Sequence, residues 1–220
     1  SMVQQGILVA LPVLLAITLH EVSHGYAARH FGDRTAEMLG RLSLNPIRHV
    51  DPVGTVAVPL LMLLFSKVAL GYPLLFGWAK PVPVASRNLR NPRRDMAVVA
   101  AAGPASNLLM ALGWALVFKV ALVLDPTQTS YGFGAVRYMA GYGVFFNCVL
   151  AVFNMLPIPP LDGGRVLSNL LPPKLSDRVD QVEPYGLFIV LGLLVSGLLW
   201  PIVGPGVRWS ASLVSRLVGL

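Results

Sequence analysis

The segment that most constrains this chain is the pentapeptide His-Glu-Val-Ser-His at residues 20–24. It directly follows a run, residues 6–19, without a charged side chain. Ionisable groups inside membrane helices are rare and usually functional, because an unpaired one costs several kcal/mol in lipid. On an α-helix, residues four apart point the same way, so His20 and His24 can both bind one zinc ion. Glu21 can then hold a water molecule on that ion. The pattern predicts a zinc hydrolytic site at the end of a membrane helix.

The composition of the chain indicates an integral membrane protein. Hydrophobic residues make up 55% of the 220 residues and charged residues only 12%, whereas the surface of a soluble protein is about 25–35% charged. The apolar residues also lie in blocks near the roughly 20 residues that a helix needs to cross a bilayer. The net charge of +7 comes from basic residues beside these blocks, where they suit anionic headgroups of the lipid bilayer. Nucleic acid is therefore not an expected partner.

The apolar blocks predict an all-α polytopic membrane protein with about four transmembrane helices. We expect the whole chain, residues 1–220, to be a single membrane-embedded domain, with a core at about 3–172 and C-terminal helices at 173–220. The polar stretches and turn residues between the blocks set the limits of each crossing. The predicted crossings are Val3–Phe31, Met96–Leu124, Val136–Leu156 and Leu187–Val203.

The stretch between the first two crossings is less regular. Val53–Phe76 is apolar but interrupted by glycine and proline, and Pro81 and Pro83 alternate with other residues within Gly77–Val84. Proline lacks an N–H, so it is disfavoured in helix interiors and central strands but tolerated in edge strands. We therefore predict a re-entrant stretch followed by short β-strands, with Gly77–Val84 as an extended edge strand.

The distribution of basic residues favours a re-entrant stretch over a full crossing at Val53–Phe76. Residues 29–95 hold ten of the 17 Lys and Arg, and residues 158–185 hold three more, whereas residues 125–135 hold none. Because cytoplasmic segments are enriched in Lys and Arg, the two basic regions are expected to share the cytoplasmic side. That layout brings Asp162 to the same end of the bundle as the histidine pair. A full crossing would leave them at opposite ends.

A zinc hydrolytic site uses three protein ligands and a water molecule, so a third ligand is needed. His30 has the spacing found in soluble zinc proteases, but Ala27 stands where they need a glycine, and a continued helix points His30 elsewhere. His49 and Glu37 lie in a polar loop and are weaker candidates. Asp162 lies between a proline break and two glycines, just past an apolar helix, and is the predicted ligand. Its alternative role is that of a helix N-cap.

Three motifs in this order resemble the site-2 protease family of intramembrane zinc metalloproteases: HEVSH at residues 20–24, GPASN at 103–107 and NMLPIPPLDGG at 154–164. The resemblance covers about residues 10–172, and a minimal member without a PDZ or nucleotide-sensing domain is expected. It implies hydrolysis of peptide bonds in or near the transmembrane segments of substrate proteins. It also implies one zinc ion with three protein ligands and a catalytic acid/base. The implied ligands are His20, His24 and Asp162, and the implied acid/base is Glu21.

The resemblance further implies that Asn154 and Pro160 shape the site or engage substrate. The Asn154 amide is a candidate donor to the oxyanion, with helix capping or interhelical hydrogen bonding as the alternative. We also expect the edge strand to pair, through Val82 and Val84, with an unwound substrate segment by strand addition. Small residues beside Asn107 in the GPASN motif suit helix packing, and Asn107 is assigned to that role.

Two other function classes are weighed against the protease. A membrane transporter or carrier of zinc would also contain intramembrane His and Asp, but it does not need Glu21 as a base. A catalytically silent scaffold is disfavoured by the intact HExxH pattern together with Asp162. We expect a multi-pass protein with its active site toward the cytoplasm and a substrate transmembrane segment as its partner. The compact form suggests a prokaryotic cell membrane.

Overall fold

The computed structural model describes the backbone of residues 2–70 and 76–220. Throughout these two ranges the chain is helical or irregular, and it contains no β-strand. The helices are α1 (Met2–His30), α2 (Thr35–Met38), α3 (Val58–Leu70), α4 (Pro92–Leu124), α5 (Tyr131–Asn154), α6 (Asp162–Leu170), α7 (Pro173–Asp180), α8 (Glu183–Val195) and α9 (Leu199–Val218).

Three of these helices, α1, α4 and α5, are long and apolar enough to cross a membrane, with spans of 27, 33 and 24 residues. Helix α4 lies at the centre, because it packs against α1, α5, α6 and α9. It begins at Pro92, whose missing N–H is not needed in a first turn. Helix α5 begins after Ser130, whose hydroxyl accepts the N–H of Phe133. The chain is thus an all-helical, multi-pass membrane protein, as predicted.

The predicted fourth crossing, Leu187–Val203, is wrong in its bounds. The chain forms α8 and α9 there, with an 87° bend between them, and the two helices are long and apolar enough for a membrane span only if they are counted together. Gly197 lies in the break with a φ of +75°, a left-handed conformation that glycine adopts without strain. Beyond the bend, Val203, Val207 and Val214 of α9 are buried against α4 and α5.

Helix α3 is too short to cross a bilayer by itself. It follows a π-helical turn, Pro52–Ala57, and has 13 residues. That length is about 20 Å, against about 30 Å of hydrocarbon core. The described part of Val53–Phe76 is therefore compatible with the predicted re-entrant stretch, and residues 71–75 lie outside the described residues.

Residues 76–85 contain neither helix nor strand, so they do not form the predicted β-strand. Pro81 and Pro83 favour an extended chain, and we call residues 76–85 the extended segment. The N–H groups of Trp78 and Lys80 bond to the carbonyl oxygens of Gly54 and His49, at 3.0 and 2.9 Å. Two prolines in the second half of the segment have no N–H to offer. A strand requires a regular ladder of hydrogen bonds with one neighbour, and here the donors reach separate partners. The prediction of short β-strands is therefore wrong for the residues that the structure describes.

The buried carboxylate of Asp33 fixes the extended segment to the end of α1. It accepts hydrogen bonds from the N–H of Ala85 at 2.7 Å, from the amide of Asn88 at 3.0 Å, and from the backbone and hydroxyl of Thr35. All of these neighbours are donors, so the carboxylate is satisfied where it lies. The extended segment is thereby held beside the half of α1 that carries the HEVSH motif.

Candidate metal centre

The structure brings three of the predicted site residues to one point. His20 and His24 lie side by side in the second half of α1, and their Nε2 atoms are 3.2 Å apart. Asp162 is the first residue of α6, and its carboxylate oxygens lie 3.1 Å from His20 Nε2 and 3.4 Å from His24 Nε2. Each of the three residues is at most 9% exposed. Two imidazoles and a carboxylate therefore form a buried cluster at one end of the bundle.

The chain turns sharply to place Asp162. A Cβ on Gly163 would lie 2.2 Å from the carbonyl oxygen of Met155, and one on Gly164 would lie 2.3 Å from the backbone nitrogen of Pro159. Only glycine lets α6 begin this close to the turn that follows α5. The alternative role of Asp162 as an N-cap is wrong, because the preceding residue holds that position and the carboxylate faces the histidines.

Helix α4 makes room for the imidazoles at Gly103. A Cβ at this position would lie 2.4 Å from His24 Nε2 and 2.7 Å from His20 Cε1. These distances are far below van der Waals contact, so a side chain here would push both rings out of place. The first residue of the GPASN motif therefore shapes the cluster itself, in addition to its predicted part in helix packing.

Hydrogen bonds on the far side of each ring determine where its proton lies. His24 Nδ1 is 2.7 Å from the carbonyl oxygen of Val99, and His20 Nδ1 is 2.6 Å from the side-chain oxygen of Asn107. The Asn107 amide has this orientation because its NH₂ group donates to the carbonyl oxygen of Ala16. A carbonyl oxygen only accepts, so in the neutral rings both Nδ1 atoms carry the proton. The assignment of Asn107 to helix packing alone is therefore wrong.

Three acceptor atoms consequently face one another with no proton between them. Two imidazole lone pairs and a carboxylate at 3.1–3.4 Å repel one another unless a cation lies among them. Asp162 Oδ2 is also buried without a hydrogen-bond partner in the described part of the chain. Two imidazole nitrogens and one carboxylate oxygen form a ligand set of catalytic zinc, which keeps a further position for water. His20, His24 and Asp162 thus fit the zinc ion that the resemblance implies.

A cleft of about 350 Å³ opens beside the cluster, between α1, α4, α8 and the extended segment. It is lined by the four residues predicted to engage substrate: Val82, Val84, Asn154 and Pro160. Glu21 lines it as well, and its Oε2 accepts the N–H of Val82 at 2.9 Å. The predicted acid/base and the predicted substrate-binding segment are therefore in direct contact.

The four cleft residues differ in what they leave available for a substrate. The Asn154 amide donates to the carbonyl oxygen of Leu150 in its own helix at 3.0 Å, so one of its two N–H groups is already used. Val82 is buried, and Pro160 is exposed. Val84 is half-buried against a cluster formed by Ala28 of α1, Val99 of α4, and Leu89. The roles of the four cleft residues toward a substrate stay predictions.

The weaker ligand candidates have other surroundings. His30 is exposed at the end of α1. His49 is buried, with its Nε2 2.8 Å from a carbonyl oxygen of its own loop. Glu37 forms ion pairs with two arginines. Among the residues that the structure describes, the third member of the cluster is therefore Asp162.

Comparison with known proteins gives the family. The model of a family described as "Peptidase family M50" matches residues 126–196. The protein named "Putative zinc metalloprotease YwhC" of Bacillus subtilis is 37% identical over 199 residues, which cover 88% of this chain and 84% of that protein. This chain belongs to peptidase family M50.

Two mycobacterial relatives of this M50 protease are both named "Putative zinc metalloprotease Rip2". The one from Mycolicibacterium smegmatis is 31% identical over 190 residues, 86% of this chain and 67% of that protein. The one from Mycobacterium tuberculosis is 28% identical over 183 residues, 83% of this chain and 64% of that protein. No solved structure matches the chain. The resemblance to site-2 proteases and the enzyme class, a zinc metalloprotease, are confirmed, and the transporter alternative gains no support.

Proposed function

We propose that this M50 protease binds one zinc ion per chain through His20, His24 and Asp162 and cuts substrate proteins in or near their transmembrane segments. The observation that carries the proposal is the meeting of three buried acceptor atoms, with no donor between them, at one end of a bundle of membrane-length helices. A single cation at this point would satisfy all three atoms.

Glu21 is the proposed acid/base. When bound, zinc supplies a Lewis acid that makes water acidic enough to lose a proton near neutral pH. Glu21 takes that proton and later gives it to the leaving amine. Its Oε2 accepts the N–H of Val82, and its Oε1 has no hydrogen-bond partner in the described part of the chain. One carboxylate oxygen is thus held in place while the other is available to water.

The extended segment, residues 76–85, is the proposed binding site for an unwound substrate. The N–H groups of Trp78, Lys80 and Val82 all bond to the protein itself, and prolines occupy positions 81 and 83. The N–H of Val84 has no hydrogen-bond partner among the described residues. An extended substrate could therefore add itself to the segment as a strand, with the N–H of Val84 as a donor to it.

We further propose that the cluster faces the cytoplasm of a prokaryotic cell. The relatives described above come from bacteria. Basic residues concentrate at the end of the bundle that holds the cluster, where Arg87, Arg90 and Arg94 are exposed. The connection between α4 and α5, at the other end, contains no Lys or Arg. This asymmetry is the usual mark of a cytoplasmic end.

The test of the proposed function is cleavage of a membrane-inserted model substrate by wild-type and Glu21→Gln protein, with zinc content measured on the same samples. We expect Glu21→Gln to keep one zinc per chain and to lose about 10²- to 10⁴-fold in rate, the usual contribution of a positioned acid/base. Glu37→Gln is the matched control, since Glu37 forms only surface ion pairs, and it should cleave at the wild-type rate.

Two results would overturn parts of this proposal. Undiminished cleavage by Glu21→Gln would remove Glu21 from the mechanism. Wild-type protein that cleaves soluble peptides but leaves the membrane-inserted substrate intact would remove the transmembrane segment as the substrate class.

Strand addition is tested separately by Val84→Pro, which deletes the unused N–H. The loss of one hydrogen bond should lower kcat/KM by about 2- to 10-fold and leave zinc content unchanged. Val84→Ala is the control, because it keeps the N–H and also loses the two methyl groups of valine. An equal loss in both variants would mean that side-chain packing, and not backbone pairing, explains the effect.

A further inference from the structure

We propose that Asn147 of α5 is a positioning residue that acts on His20 through Asn107 and so fixes the imidazole tautomer that can bind zinc. The inference rests on the zinc-binding role proposed above. Both asparagine side chains are fully buried, at 0% exposure, where α1, α4 and α5 pack together. Asn147 lies outside the three motifs that carry the family resemblance.

The hydrogen bond between the two amides has a fixed direction, because a backbone carbonyl oxygen, which can only accept, orients the Asn147 amide. The NH₂ group of Asn147 donates to the carbonyl oxygen of Gly143 at 2.8 Å, which leaves the Asn147 side-chain oxygen facing Asn107. The NH₂ group of Asn107 donates to that oxygen at 2.9 Å and to the carbonyl oxygen of Ala16 at 3.2 Å. Both N–H bonds of Asn107 are then used, so its own oxygen faces His20.

This direction decides the state of the His20 ring. The Asn107 oxygen cannot donate, so His20 donates from Nδ1 and keeps a lone pair on Nε2. A flipped Asn107 amide would present its NH₂ group to Nδ1, and the ring proton would move to Nε2, which then could not bind a metal. The flip would also bring the Asn107 oxygen against the oxygens of Ala16 and Asn147. Asn147 therefore makes the unproductive tautomer costly by opposing the flip.

His24 reaches the same tautomer by a simpler route. Its Nδ1 bonds directly to the backbone carbonyl oxygen of Val99, which is held within α4 and cannot exchange donor for acceptor. The two imidazoles of one cluster are thus oriented by different means, one by the main chain and one by a pair of amides. His24 provides an internal reference for any experiment on the amide pair.

The experiment compares two variants that match the shape of asparagine. Asn147→Leu removes the acceptor that faces Asn107, whereas Asn147→Asp keeps an acceptor there in either protonation state. The zinc dissociation constant of each purified protein is measured by competition with a chelator. We expect Asn147→Leu to bind zinc about 10- to 100-fold more weakly, the usual effect of losing a partner behind a ligand. Asn147→Asp should bind zinc at least as tightly as the wild type. A merely structural role would weaken zinc binding in both variants.

A second measurement begins with the wild-type protein. Nitrogen-15 NMR of the four histidines in the zinc-free wild-type protein, at alkaline pH, reports the tautomer of each neutral ring. We expect the proton on Nδ1 in both His20 and His24, and in Asn147→Leu we expect only His20 to gain the Nε2–H form. A proton on Nε2 of wild-type His20 would overturn the proposal, even if both variants fail to fold. A folded Asn147→Leu protein with wild-type zinc affinity would also overturn it. Failure of the proposed zinc site would appear separately, as wild-type protein that does not bind zinc.

Discussion

Two buried carboxylates mark the two ends of the helix bundle, and their surroundings are opposite. Asp125, in the connection between α4 and α5, accepts hydrogen bonds from Arg137 at 3.0 Å and from the backbone N–H groups of Thr129 and Ser130 at 3.2 Å. Burial alone would raise the pKa of Asp125, but these donors outweigh it and hold the pKa below its usual value. Asp162, at the other end, faces two imidazole nitrogens that present lone pairs.

The difference shows that hydrogen-bond chemistry, and not burial, separates a structural carboxylate from a ligand. A buried carboxylate whose neighbours are all donors is already satisfied, and its role is to hold the fold together. One whose neighbours are acceptors is unsatisfied until a cation joins them. Asp33 belongs with Asp125 in this respect, because every group that it contacts donates to it.

The variant expected to have the largest effect on this comparison is Gly103→Ala, at the end of the bundle that holds His20, His24 and Asp162. The added Cβ would overlap both imidazoles, so we expect zinc affinity, measured by chelator competition, to fall by at least about 10- to 100-fold. Gly113→Ala in the same helix is the control. Nothing lies within 4 Å of its added Cβ, so zinc affinity should not change, and the helix should gain about 0.5–1 kcal/mol. Equal zinc binding by the two variants would contradict the placement of Gly103.

A smaller and opposite effect is expected from Asp125→Asn. This change removes the charge that pairs with the largely buried Arg137, so the unfolding temperature of the protein in detergent should fall. Zinc affinity should stay at the wild-type value, because the cluster lies at the far end of the bundle. Loss of zinc without loss of stability would break the distinction between the two carboxylates.

The smallest effect concerns the pH dependence of stability through Asp33. Burial alone would raise the pKa of Asp33, but the bonds from Thr35, Asn88 and Ala85 outweigh it and lower the pKa below its usual value. A lowered pKa gives stability that is fully present above the unfolded-state pKa of about 3.9 and is lost as pH falls through the folded-state pKa. Asp33→Asn should therefore cost about 1–3 kcal/mol at neutral pH, the range for unsatisfied buried partners.

That stability difference is measured by unfolding zinc-free wild-type and Asp33→Asn protein over a range of pH. It should shrink as the pH falls below about 4. Asp177→Asn is the control, since Asp177 is exposed, and it should change stability little at any pH. A difference for Asp33→Asn that persists undiminished in acid would show that its charge is not what the donors stabilise.

The sequence predicts the parts of this fold that a local pattern determines. Long apolar blocks locate α1, α4 and α5 within a few residues, because lipid requires continuous apolar helices of this length. The spacing within the HEVSH motif puts His20 and His24 on one helix face. The distribution of Lys and Arg led to the expectation that Asp162 reaches the same end of the bundle, where the structure places it.

The features that the sequence does not predict depend on contacts between segments that are distant in the chain. Asn107 resembles a packing residue until α1 and α5 place His20 and Asn147 against it. One available signal is that Gly103 and Asn107 are four apart and so share a helix face, as the two histidines do. The alternating prolines of the extended segment predict an edge strand, yet its backbone N–H groups bond to separate partners. The bend near Gly197 is likewise not predicted, because a glycine inside an apolar block is compatible with a straight helix.

The central claim is that His20, His24 and Asp162 together hold one zinc ion. The most direct test is the zinc content of purified Asp162→Ala protein beside that of the wild type, with helix content measured on both. The account predicts one zinc per chain in the wild type and none in Asp162→Ala at unchanged helix content. Zinc retained at the wild-type level in Asp162→Ala would contradict it.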